Sequence, residues 1–232
     1  MQTSRTLSII LRRINYGEAD RILTLLTRDF GKQTVIAKGV RKEKSKLAGG
    51  IELFSESDIS FIKGKGEVGT LVSTKLNRHF GNIHIDMDRM QAVSAFLKQI
   101  DAVTEQEAGK DFYDLALDVF IYMNTKEINP RITKAWALMR LMLLIGEVVN
   151  VESDSSGKKF SDEMNYKFIF EENRFIPDPN GLIKPGDIKF LRFLGTETPA
   201  RLMAIKNSDE LSKNAFEVLD LSYRYSRPAR TH

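Results

Sequence analysis

"RILTLLTRDFGKQTVIA" (Arg21–Ala37) decides how the first third of the chain is read. Two runs rich in Ile, Leu, Val and Thr flank "RDFGKQ", a polar turn with a glycine, and that arrangement predicts a β-hairpin rather than a helix. On the amino-terminal side, Leu7, Ile9 and Leu11 alternate with Ser8, Ile10 and Arg12. On the other side, Ile51–Ile62 alternates over its second half, with Ser57, Ile59 and Phe61 on one face and Asp58, Ser60 and Ile62 on the other. "KGKGEVG" then reads as a turn and Val68–Leu76 as a fifth strand. Five short strands with glycine-rich punctuation predict a small β-barrel over residues 1–80.

Beyond residue 86 the apolar period lengthens to that of helices. "DMDRMQAVSAFLKQIDAV" spaces Met90, Val93, Phe96, Leu97 and Ile100 for one helical face, with Asp86 or Asp88 as the cap. "DFYDLALDVFIYMN" repeats the spacing through Phe112, Leu115, Val119 and Tyr122. "NPRITKAWALMRLMLLIGEVV" offers Asn129 as cap and Pro130 at the first helical position. It is apolar nearly all round, which predicts a central helix. Two further helices are expected in "KPGDIKFLRFLG" and "SDELSKNAFEVLDLSYRYS", and a polar insertion at about 151–183 contains the hairpin-like "KFIFEENRFIP", turning at Glu172–Asn173. The expected class is α+β: a barrel domain (1–80), then an all-helical domain (81–232) that carries the small hairpin.

Composition narrows the chemistry. The chain has no cysteine, which excludes disulfides, thiolate metal sites and cysteine nucleophiles. "MQTSRTLSIILRR" lacks the pattern of a signal peptide, and the most apolar stretch, Leu138–Ile145, is broken by Arg140, so a cytoplasmic protein without a membrane span is expected. The net charge of +4 conceals an asymmetry. Residues 1–80 hold 15 Lys/Arg against 8 Asp/Glu, whereas residues 81–232 are net acidic. Much of the excess lies in "KGVRKEKSK", where Lys38, Arg41, Lys42, Lys44 and Lys46 fall within nine residues. Clustered cations on one domain are the electrostatic footprint of a polyanion binder; a solvated loop is the plainer alternative. A five-stranded barrel with cationic loops is the arrangement by which OB-folds hold oligonucleotides. Lys32, Lys63 and Lys65, in the other turns, are expected to extend the surface.

Aromatic side chains would add stacking. Phe54 shares its parity with outward-facing Glu52 and Glu56, and Tyr16 and Phe30 lie in turns, but packing is the reading taken for Phe54, and Phe61 is assigned to the core. Catalysis finds little support. His79, His84, Asp86 and Asp88 match no standard metal spacing, and the carboxylates are explained by the helix start. Glu18 and Asp20 sit in a turn that they are expected to order. "KGKGEVG" joins two strands and opens no helix, so it is no phosphate-cradling loop. No metal, cofactor or catalytic residue is expected.

These residues resemble a known family. Tyr16–Leu71, with its "YGEADR" turn, the "T...G" before the third strand and "AKG.R...S.L.G", is similar to the amino-terminal domain of RecO, the bacterial recombination mediator. The helical remainder agrees more loosely in order and length. The resemblance implies an OB-fold followed by a helical domain, and binding of single- and double-stranded DNA with annealing of complementary strands. It also implies partnership with RecR and with the acidic tail of the single-stranded-DNA-binding protein SSB, leading to RecA loading at the nucleoid. Of the basic residues, Lys38 and Arg41 match the family pattern, and Lys44 and Lys46 match it less strictly. Many members carry a four-cysteine zinc site between the helices. Here no thiol is present, so that zinc cannot bind, and a metal-free hairpin held by Phe168, Phe170, Phe175 and Ile176 is expected instead. Arg131, Lys134 and Arg140, or Lys189 and Arg192, are candidates for a basic rim that would receive the SSB tail. Two other readings of the barrel stay open, an adaptor acting through protein partners and an RNA-binding OB protein.

Overall fold

The computed structural model describes residues 3–64, 66–105 and 108–226. Strands β1 (Thr3–Tyr16), β2 (Asp20–Thr27), β3 (Gly31–Ala37), β4 (Ser55–Ile62) and β5 (Val68–His79) form a closed barrel in the order β1-β2-β3-β5-β4. This is the five-stranded OB arrangement that the alternation predicted. β1 serves both sides of the barrel: Thr3–Ile9 pairs with β4, and Ser8–Tyr16 with β2. A register shift between Ile10 and Arg12 bends the strand between its two partners. The closing seam is parallel and short, joining only Thr34–Ile36 to Val68–Thr70.

Residues on one parity of the strands fill the barrel. Ile10, Leu23, Leu25, Val35, Ile59, Phe61 and Leu71 form one core cluster, and Phe30 sets its ring edge-on to Phe61 at 5.8 Å. Strand gives way to helix at residue 80, where the periodicity changes. The chain divides into compact units elsewhere, at Met1–Thr125 and Lys126–His232, because three helices join the barrel. These are α1 (Gly81–Ile85), α2 (Met87–Val103) and α3 (Lys110–Asn124). Asp86 caps α2, its carboxylate accepting from the amides of Asp88 and Arg89. Of the expected face, Val93, Phe96, Leu97 and Ile100 are buried and Met90 is half-buried.

The buried stripe of α3 differs from the one expected. Tyr113, Ala116, Phe120 and Met123 are buried beside Leu115 and Val119, and Phe112 and Tyr122 are only half-buried. The reason lies in the barrel. Glu56, 1% exposed, accepts from the Tyr113 hydroxyl at 2.5 Å, and its second oxygen receives Asn77 at 2.5 Å and Arg78 at 3.2 Å. A buried carboxylate is costly without partners, so it draws Tyr113 inward. Burial, reinforced by the Glu56 bond, pushes the Tyr113 hydroxyl well above its usual range and keeps it a donor.

In the second unit, α4 (Pro130–Leu144) begins as expected, with Asn129 accepting from the Arg131 amide and Pro130 in the first turn. Nine of its residues are buried, and α5 (Pro185–Thr196), α6 (Pro199–Leu202) and α7 (Ser208–Ser226) pack around it. The hairpin β6 (Tyr166–Ile169) and β7 (Arg174–Pro177) lies between α4 and α5 in the chain. Asp154 accepts from the Ser156 and Lys158 amides and the Ser156 hydroxyl, and Asp178 accepts from the Asn180 amide. Phe160 meets Tyr166 and Phe175 edge-on at 5.0 and 5.6 Å. Of the four residues expected to hold the hairpin, Phe175 is buried and Phe168 packs on it. Phe170 instead meets Tyr225, and Ile176 is exposed. The segment is therefore braced by two carboxylate-capped turns and an aromatic set that keeps Phe168 and Phe175 and adds Phe160 and Tyr166.

Candidate nucleic-acid interface

The β3–β4 loop is fastened at both ends. At its start the Gly39 amide donates to Asp20 at 2.7 Å, the Arg41 amide to the Ala19 carbonyl at 2.9 Å, and Val40 is buried in the barrel core. Asp20 thus orders the loop against the β1–β2 turn, as its place in "GEAD" suggested. At the far end Leu47 and Ala48 pack on the core, Ile51 is buried, and Thr74 donates to the Gly50 carbonyl at 2.9 Å. A Cβ at Gly50 would lie 1.9 Å from the Thr74 hydroxyl, so only glycine allows this approach. Between these anchors Lys38, Arg41, Lys42, Lys44 and Lys46 are all exposed, and none forms an ion pair among the described residues. Arg41 also donates to the Gly17 carbonyl at 3.2 Å, which steers its guanidinium toward the β1–β2 turn.

The remaining expected cations lie elsewhere. β2 and β3 pair from Arg21–Ala37 at one end of their hairpin to Thr27–Gly31 at the other, six residue steps, or about 20 Å. Lys38 continues the first end, and Lys32 belongs to the second. Lys32 is committed within the protein: it pairs with Asp101 at 2.7 Å and donates to the Asp101 and Thr104 carbonyls at the end of α2. Lys63 lies at that same second end, 5.9 Å from the centre of the Phe30 ring. Lys65 lies outside the described residues. The single surface expected from the sequence is therefore divided: five exposed cations at one end of the hairpin, Lys63 at the other, and Lys32 withdrawn.

The outer sheet face between the two ends carries fewer charges. Ile14, Ile22, Ile36 and Thr70 form one row across four strands, and Arg12, Thr24, Thr34 and Val68 the next. Ile14 and Val68 are about half exposed, as is Tyr16 beside the loop at 55%. Arg12 shares Asp101 with Lys32 and Thr24 is buried, so the open apolar part of the face is the row from Ile14 to Thr70. Flat apolar surface suits bases, and cations suit phosphates.

The comparisons with known proteins agree with this barrel. Residues 1–80 match the family described as "Recombination protein O N terminal". Similarity to RecO proteins continues beyond the barrel. The DNA repair protein RecO of Heliobacterium modesticaldum is 29% identical over 97% of this chain and 85% of its own length. RecO of Roseiflexus is 39% identical over 78% of this chain, which spans 61% of that relative. RecO of Acetivibrio thermocellus is 26% identical over 92% and 89%.

The other residues singled out have structural duties. Phe54 is buried, meeting His84 at 4.9 Å and Phe120 at 6.3 Å, in accord with the packing reading. His79 and His84 stack on one another at 5.5 Å, while Asp86 is turned to its helix. No group of three or more metal-ligating side chains occurs among the described residues. The helical cations are engaged: Arg131 with Asp209, Lys134 over the Phe216 ring at 3.8 Å, Arg140 on the Gly195 carbonyl, Lys189 with Asp162, and Arg192 on the Val151 carbonyl. No described helix is long and apolar enough to cross a membrane. Sequence reasoning missed the withdrawal of Lys32, because Asp101 is remote in sequence and nothing local announces it.

Proposed function

We propose that this chain is a DNA-binding mediator of repair and recombination, acting by contact rather than by bond-breaking chemistry. Lys38, Arg41, Lys42, Lys44 and Lys46 grip phosphates of single- and double-stranded DNA, and a single strand lays its bases toward the row from Ile14 to Thr70. Neutralising the phosphates lowers the mutual repulsion of two complementary strands, which favours annealing. In the cell this activity would serve SSB-coated DNA, with RecR and the SSB tail as partners and RecA loading as the outcome. The observation that carries the reading is a loop fastened at both ends whose five exposed cations form no ion pair among the described residues.

Replacing the five residues together by Ala tests it. Oligonucleotide affinity at low salt should fall roughly a hundredfold or more, and the salt dependence should flatten by about 0.7 of slope per lost single-strand contact. Unchanged affinity and slope would reject the loop.

A second reading, an adaptor that docks a protein partner, draws support from a groove of about 530 Å³ in the same unit. Its lining includes Leu53, Phe54, Met90 and Ala95, with Arg13 and Lys98 among the polar residues, which suits an acidic peptide with apolar side chains such as the SSB tail. Oligonucleotide binding that is absent even at low salt, with retained tail-peptide binding, would favour the adaptor.

A further inference from the structure

A cleft of about 630 Å³ opens at the end of the β2–β3 hairpin away from the basic loop. Three chain segments wall it: the β2–β3 turn with Arg28, the β4–β5 turn with Lys63, and the start of α3. Four cations line it, Arg28, Lys32, Lys63 and Lys110, against Asp29 and Glu67. Two of the cations are spent inside the protein, Lys32 on Asp101 and Lys110 on Asp114. Asp29 accepts a hydrogen bond from Thr6 at 2.7 Å and keeps its charge. Arg28 and Lys63 are left exposed without an ion pair among the described residues, with Asp29 and Glu67 as the opposing charges, so the lining holds four cations against two carboxylates.

The walls suit an anion in a second way. α3 opens on this wall with Gly109 as its cap and no side-chain acceptor for its first amides, so the positive end of a 15-residue helix borders the cleft.

We infer that this cleft is a phosphate subsite separate from the Lys38–Lys46 loop. It deepens the DNA-binding reading by giving the barrel a second backbone contact about 20 Å away along β3. Phosphate chemistry is shared by a DNA backbone and by a free phosphate compound, and the two are separable by experiment.

Arg28→Ala with Lys63→Ala should lower the affinity for a 20-residue oligothymidylate about tenfold at low salt and reduce the salt slope by about 1.4, two single-strand contacts. Glu67→Gln should act in the opposite direction, raising affinity a few-fold, which a merely misfolded variant would not do. Pyrophosphate, followed through the amide resonances of Gly64, Gly66 and Gly109, probes the free compound. Loss of oligothymidylate affinity assigns the cleft to DNA, and loss of the pyrophosphate response alone assigns it to a free phosphate compound. If neither changes in the double variant, the subsite is overturned. The five-residue loop variant should keep the pyrophosphate response, so failure of the loop and failure of the cleft give different results.

Discussion

Two irregular segments of this chain use polar side chains in opposite ways. The β3–β4 loop is held by backbone, apolar anchors and one carboxylate from another turn, and it leaves five cations without ion-pair partners among the described residues. The segment between α4 and α5 turns its polar groups on itself. Asn150, Asp154, Ser161 and Asp178 all accept from amides within four residues. Where polar groups are satisfied internally, a segment is explained by its own stability. Where charges are displayed on a fastened frame, internal pairing does not account for them, which is the condition the proposed phosphate grip requires.

The contrast can be broken by substitution. The largest effect expected is the loss of DNA affinity on removing the five loop cations; urea unfolding of that variant should stay within about 0.5 kcal/mol of the parent, since exposed side chains without partners contribute little to stability. Asp154→Ala should do the reverse. It leaves the turn amides of Ser156 and Lys158 without their acceptor and should lower the midpoint of urea unfolding, with oligonucleotide affinity unchanged. Asp20→Ala sharpens the comparison, because Asp20 serves the loop in the way Asp154 serves its own turn. A loss of about 1 kcal/mol together with a roughly threefold weaker grip on DNA is expected, because the loop is no longer held in place. An affinity unchanged in Asp20→Ala would show that the loop needs charge but not position.

The smallest effect concerns acid. The Ser156 hydroxyl and neighbouring amides hold the Asp154 carboxyl below its ordinary value, and the Arg89 amide does the same for Asp86. A carboxylate lowered in the folded state contributes stability above its unfolded value of about 4. That contribution falls away as pH drops below about 4 and through the lowered value. Unfolding monitored from pH 6 to pH 3 should therefore show stability declining toward the acid end in the parent, with a shallower decline in Asp154→Ala. The loop cations do not titrate in this range, so the cleavage between the two segments should persist in acid.

Much of the barrel was legible because alternation is a local signal. Strand positions, the Asp86 and Asn129 caps and the central place of α4 all follow from residues a few positions apart, whereas the parity that set Phe54 with an outward Glu56 misled, since both are buried. What was not legible depends on partners distant in the chain. Lys32 reads as a turn lysine until Asp101 is placed beside it, 69 residues on, and the phase of α3 is set by Glu56, 57 residues before Tyr113. The basic residues looked like one surface because sequence gives their number but not the end of the hairpin on which each falls.

The short parallel seam between β3 and β5 has a consequence for how the barrel breathes. Every other strand junction is long and antiparallel, whereas this one joins three residues to three. Opening it would cost few hydrogen bonds and would turn the cylinder into an unrolled sheet with β3 and β5 as its margins. The weakest stave thus lies beside the Thr34–Val68 row, under the path along which a bound strand would run, so an occupied surface would act as a hoop around it.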